Sequence, residues 1–263
     1  MGCSLLARPD GAKPPDTTTD ANERERVSHA SGAGIAGVPA SERVGGFGGA
    51  KPPDMTTEKK RIAAIVFFFL AAVIFWGAYE QAGSTLNLFA ERNTNRVVLG
   101  YEFPASWYQS VQPILVIILA PLYAWLWIRL GNREPSSPSK FSLGLFLVGM
   151  SFLIMVPPGF RTHVSPHWLN VCYLLSVLGE MCLSPVGLSA MTKLAPMRAQ
   201  GFVMGVWFLS LGTGNWLAGK AGSLYEIVPL PTLFGVGAGV AIAAAVLLAI
   251  LVRPTKKLMV GVS

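Results

Sequence analysis

Two carboxylates stand inside hydrophobic runs of this chain. Glu180 lies midway along the run from Trp168 to Ser189, and Glu80 lies within the run from Ile62 to Ala90. An acid at membrane depth costs at least ~2.5–3.5 kcal/mol on insertion scales, so it normally faces a bundle interior or a water-filled cavity. Two such acids point to a polar pathway through a helical bundle. In the first run, Trp76, Glu80 and Ser84 are spaced i, i+4, i+8, with Gln81 and Asn87 close by, which would make one polar stripe on an apolar helix. Counted from Arg61, Glu80 is about 28 Å along the axis, in the outer part of a membrane. A carboxyl there suits uptake and release of a proton. The plainer alternative is a structural acid bonded to a neighbouring helix.

Glu180 and Ser184 share a helix face at i, i+4, and Pro185 removes one helical N–H just below them. Gly179 and Gly187 allow another helix or a ligand to come close. A negative charge here could pair with a cationic substrate group, whereas a packing kink is the alternative. Trp207 follows the small-xxx-small pair Gly201 and Gly205, so it either packs a helix contact or walls a pocket. Gln112, beside Pro113, is the polar side chain of a proline-kinked helix. His163 and His167 belong to an outer loop and are expected to be solvated. Cys172 and Cys182 are about 15 Å apart on one helix, too far to bridge. With no zinc spacing and no nucleophile elbow, neither a metal site nor enzyme chemistry is expected.

These side chains need helices to carry them. The chain has 263 residues, 52% hydrophobic and 13% charged, with mean hydropathy +0.48. A soluble domain carries about 25% charged residues. The apolar residues gather into six runs, at 62–90, 107–130, 141–156, 167–194, 201–220 and 231–252. A hydrocarbon core of ~30 Å needs about 20 helical residues, so each run is a candidate span. Residues 57–253 are therefore expected to form a six-helix bundle, and 254–263 a short tail. The lead, 1–56, is rich in Gly, Pro, Ser and Thr. Its segment from Gly11 to Thr19 recurs from Gly49 to Thr57, and a disordered lead with a short duplication is expected.

The net charge of +7 reflects basic residues at helix ends. Lys59, Lys60, Arg61, Arg129, Arg133, Lys140, Lys193, Arg198, Arg253, Lys256 and Lys257 fall at one set of ends, against Arg92, Arg96, Arg161 and Lys220 at the other. The positive-inside bias places both termini in the cytoplasm. Nucleic acid is excluded as a partner, since no basic patch is interleaved with aromatics.

Four segments carry a family resemblance. They are Phe75 to Asn87, Trp107 to Pro113, Gly179 to Ser189 running on to Pro196, and Gly205-Val-Trp207-Phe208-Leu209. In this order and spacing the chain resembles the proton-dependent oligopeptide transporters, a branch of the major facilitator superfamily, over residues 56–252. The resemblance implies an all-α membrane protein whose spans are the seventh to twelfth helices, the C-terminal six-helix bundle of such a transporter. It implies symport of di- and tripeptides across the plasma (inner) membrane, with protons as coupling ion and no other cofactor. Glu80 falls at the position associated with proton coupling and gating. Glu180 falls at the position that meets the peptide amino terminus, with Ser184 on its face. Trp207 matches a pocket-lining aromatic. Gln112 stands where the family typically has Asn, so it keeps an amide but crowds the pocket.

The twelve-helix members bind substrate between two halves. No counterpart of the first half, with its Glu-x-x-Glu-Arg motif, is found in these residues. The expectation is a half-transporter, inactive in transport by itself. The rival is a non-transporting membrane remnant, or one subunit of a split transporter joined by a separately encoded N-terminal half.

Overall fold

A computed structural model describes residues 55–98 and 100–259. The expected disordered lead lies outside the described residues apart from 55 and 56, and its duplication apart from 55–57. Those residues already belong to the first helix, α1, Met55–Tyr79. Glu58 in its first turn complements the positive end of the helix dipole.

The run expected as one span is broken. After Tyr79 the chain tightens into a 3-10 turn, Glu80–Gly83. It resets at Ser84 (φ −123°, ψ −97°) and resumes as α2, Thr85–Arg92. The cause is local side-chain chemistry. The hydroxyls of Ser84 and Thr85 both donate to the Gln81 side-chain oxygen, and Gln81 Nε2 donates back to the Gly77 carbonyl. Such short polar bonds offer the backbone an alternative to a continuous helix. A 3-10 segment inside a long helix often marks a hinge.

A short antiparallel pair follows, β1 Val97–Val98 and β2 Tyr101–Glu102. Then come α3 Val111–Leu130, α4 Ser137–Leu153, α5 His167–Leu194, α6 Gln200–Ser223 and α7 Leu230–Leu258. The last helix runs on through Pro254 into residues expected to be tail. Among the described residues, five helical stretches are long and apolar enough to cross a membrane by length and composition. Helix α6 is long enough at 24 residues, but its Gly, Ser, Thr, Asn and Lys content keeps it out of that group.

Helix α4 packs mainly on α7 and α5, and α1 packs mainly on α6. Both sets close on glycine. A Cβ on Gly179 would lie 2.8 Å from the Gly144 carbonyl, so α4 and α5 cross backbone to backbone. A Cβ on Gly214 would lie 2.4 Å from Trp76 Cβ, which fixes the α1–α6 crossing. In lipid, association rests on such close packing and on interhelical hydrogen bonds, since the tails are as apolar as leucine. Phe68, Phe75, Phe141, Leu183 and Met191 fill the core between these helices. Helix α3 stands at the edge, with Ile117 74% and Ile128 81% exposed.

At the outer end the loops are tied together. Tyr225 donates to Asn93 Oδ1 at 2.8 Å, Arg92 pairs with Glu226 at 2.7 Å, and Asn95 N–H donates to the Val164 carbonyl at 2.8 Å. Burial pushes the Tyr225 hydroxyl up to about 12, against a smaller opposing pull from Arg92. A raised folded value means that stability is complete below the ordinary tyrosine value of about 10 and is lost as pH rises through about 12. A tyrosinate titration followed by ultraviolet absorbance should show a step near pH 12 that Tyr225→Phe removes; an unchanged titration would contradict this placement.

Candidate functional site

Helix α1 ends where the chemistry begins. Tyr79, its last residue, donates its hydroxyl to Glu180 Oε2 on α5. The tyrosine ring stacks on Phe75 (centroids 5.7 Å apart, planes at 22°) and meets Trp76 edge-on at 5.5 Å. Offset stacking and edge contacts of this kind hold an aromatic ring in one orientation. Phe75 in turn lies against the backbone of Gly179, 3.4 Å from where a Cβ would be. Glycine beside Glu180 thus admits two neighbours at once, the α4 backbone and the Phe75 ring.

Glu80 is half-buried. Tyr79 hydrogen-bonds to Glu180 and is the chain neighbour of Glu80, which lies within electrostatic reach of Glu180. Both acids remain partly exposed. Two cavities are lined by other residues. One, of about 600 Å³, lies among Trp127, Glu134, Lys140, Ser189, Lys193 and Lys256. The other, of about 360 Å³, lies among Ile74, Gln81, Phe152, Leu217, Leu233 and Val240. Neither acid lines either of these two cavities, and each is partly exposed.

The remaining expected residues fall as follows. Ser184 is half-buried one turn along α5 from Glu180. Trp207 is only 4% exposed, with its ring edge so close over Gly187 that any Cβ there would clash; the Phe141 ring is 6.3 Å away. From α6 it packs in the core against Gly187, seven residues along α5 from Glu180. Gln112 is buried, and its Nε2 has no hydrogen-bond partner among the described residues. Buried donors are normally satisfied, so a free one is notable. It does not converge with Glu180, however. The α3 residue that reaches the Glu180 turn is Tyr123, which donates to the Leu178 carbonyl at 3.1 Å and accepts from Cys182 Sγ at 3.7 Å. Gln112 lies about 16 Å up the α3 axis from Tyr123.

The single polar stripe expected on the first span is divided. Trp76 is buried against α6, and Ser84 donates to the Ala218 carbonyl of α6 at 3.3 Å, while Glu80 lies near α5. The i, i+4, i+8 spacing presumes one continuous α-helix, and the 3-10 turn breaks that register. Tyr79 and Tyr123 were not singled out from the sequence. Tyr79 was legible only as the neighbour of Glu80. Tyr123 carried no signal in an apolar helix. Among the described residues no group of three or more His, Cys, Asp or Glu could hold a metal ion.

A family model described as the POT family matches residues 50–236. The chain belongs to the POT family. It is 43% identical over 208 residues to the uncharacterized transporter YclF of Bacillus subtilis (strain 168), covering 78% of this chain and 42% of that protein. It is 39% identical over 213 residues to the peptide transporter YePEPT of Yersinia enterocolitica subsp. palearctica serotype O:3 (strain YE-P4), covering 77% and 42%. A crystal structure of a peptide transporter POT in complex with sulfate superimposes with TM-score 0.74 at 37% identity, covering 80% of this chain and 43% of that one. The fold is thus that of part of a multi-pass POT transporter, and these relatives are named as transporters, not enzymes. The chain spans about 42% of the length of the curated relatives it matches.

Proposed function

We propose that residues 55–259 act as the C-terminal half of a proton-coupled di- and tripeptide symporter, and do not transport without a first half. The observation that carries this is the Tyr79–Glu180 hydrogen bond with Glu80 next in the chain and within electrostatic reach, both acids being partly exposed. A peptide ammonium would take Glu180 as its counter-ion, a charge-assisted pair roughly twice as strong as a neutral hydrogen bond. Ser184, one turn away, would add a hydroxyl. Glu80 would take and release the coupling proton. Trp207 would brace the lower wall through Gly187, and Gln112 would offer its free amide higher up the pathway. Rocking of one half against the other would then expose the site to each side in turn. The charge bias at the helix ends favours both termini in the cytoplasm of a cell bounded by the plasma (inner) membrane, with lipid against the apolar faces.

The second proposal, one subunit of a split transporter or a non-transporting form, is favoured by the exposed side of α6. There Phe208 is 59%, Leu209 60% and Trp216 61% exposed. Proteoliposomes test both. Residues 55–259 alone should give no proton-driven dipeptide uptake, and adding a POT first half should restore it. Robust uptake by these residues alone would overturn the half-transporter proposal. No uptake with any first half would favour the non-transporting one.

A further inference from the structure

Tyr79 has no role in the function proposed so far, yet it holds the central carboxylate. Its hydroxyl donates to Glu180 Oε2 from the last position of α1. Phe75 and Trp76 fix its ring from two sides. The residue that follows it is Glu80, the first of the 3-10 turn that interrupts the span. One residue therefore links the proposed ammonium site on α5 to the joint in the first span, where the proposed proton site begins.

We propose that Tyr79 is a built-in competitor for Glu180, a positioning residue that sets peptide affinity and reports occupancy of the site to the Glu80 joint. This rests on the reading that Glu180 receives the peptide ammonium. A phenol O–H offers a carboxylate what an ammonium N–H offers, a single aligned donor, but without the charge. In the empty site it satisfies Glu180, which would otherwise be a half-buried acid without a direct donor. An arriving ammonium brings a positive charge and three donors, and it displaces the phenol. Two consequences follow. The bond that must be given up weakens net binding, so that peptide can be released again. Loss of the bond also frees the end of α1 from α5, one peptide unit before Glu80, where the chain has already left α-helical geometry.

The specificity is chemical. Only ligands that present an amine to Glu180 compete with Tyr79 for the same oxygen. A dipeptide with its amino group acetylated has no such claim, and should be indifferent to the tyrosine hydroxyl.

The test is Tyr79→Phe in the transporter that includes this chain, assayed for uptake of a free dipeptide and of its N-acetylated form. Phenylalanine keeps the ring and its stack on Phe75, so folding is preserved. An equal thermal midpoint checks that. The KM for the free dipeptide should fall about three- to tenfold, the range expected when one competing hydrogen bond is removed. Maximal uptake should not rise with it, since release and the signal to Glu80 are impaired. The KM for the acetylated form should stay constant. In a Glu180→Gln background, Tyr79→Phe should change neither value. A KM for the free dipeptide that rises or stays the same overturns the proposal, as does an equal change for both peptides. If Glu180→Gln alone leaves the preference for a free amine intact, the ammonium reading fails first. If that preference is lost but Tyr79→Phe does not lower KM, only the competitor role fails.

Discussion

Replacing Glu180 by Gln in the assembled transporter is expected to cut apparent affinity for a free dipeptide by about 30-fold or more. The size follows from the chemistry of the pair. Removing one charged partner from a desolvated ion pair costs about 2–5 kcal/mol, and each 1.4 kcal/mol is tenfold. Glutamine keeps the length and a carbonyl oxygen, so the Tyr79 hydroxyl can still donate to it. The packing around Gly179, with Gly144 on one side and Phe75 on the other, is not touched. The expected loss is therefore one of charge and not of fold, and it is read as a shift in KM from uptake at graded dipeptide concentration. Normal affinity in a protein of unchanged thermal midpoint would remove Glu180 from substrate contact.

Glu80→Gln is expected to produce a different defect. A neutral amide at this position still fits the 3-10 turn, which is held by Gln81, Ser84 and Thr85 and not by the Glu80 side chain. What it loses is the ability to take and release a proton. Uptake driven by a proton gradient should fall to near background. Exchange of labelled for unlabelled dipeptide across a membrane with no gradient should persist, because exchange needs only binding and rocking. If both assays fall together, Glu80 is structural. If neither falls, it has no part in coupling.

Much of this site was legible in the sequence, and the reasons are physical. Glu80 and Glu180 stand out because a charge in an apolar run is expensive and so must have a polar destination. Gly179 and Gly187 mark close approaches, and both are used, one by the Gly144 carbonyl and one by the Trp207 ring. The turn of polar residues after Glu80 was harder to interpret. The hydrophobic run continues on both sides of it, and the competition between side-chain and backbone hydrogen bonds at Gln81, Ser84 and Thr85 depends on geometry that periodicity does not record. Trp76 and Ser84 both meet α6, and it is Glu80, at the start of the 3-10 turn, that the broken register separates from them. Tyr79 and Tyr123 were hidden for another reason. An aromatic in a membrane helix carries no anomaly, and only the crossing of α1 and α3 with α5 shows where its hydroxyl goes.

The most direct measurement sets a free dipeptide against its N-acetylated form, in transporters carrying either Glu180 or Glu180→Gln. With glutamate present, the free amine should be preferred by well over tenfold. With glutamine, that preference should collapse towards equality while the acetylated peptide binds as before. A preference for the free amine that survives the substitution undiminished would show that the peptide amino group meets some other residue.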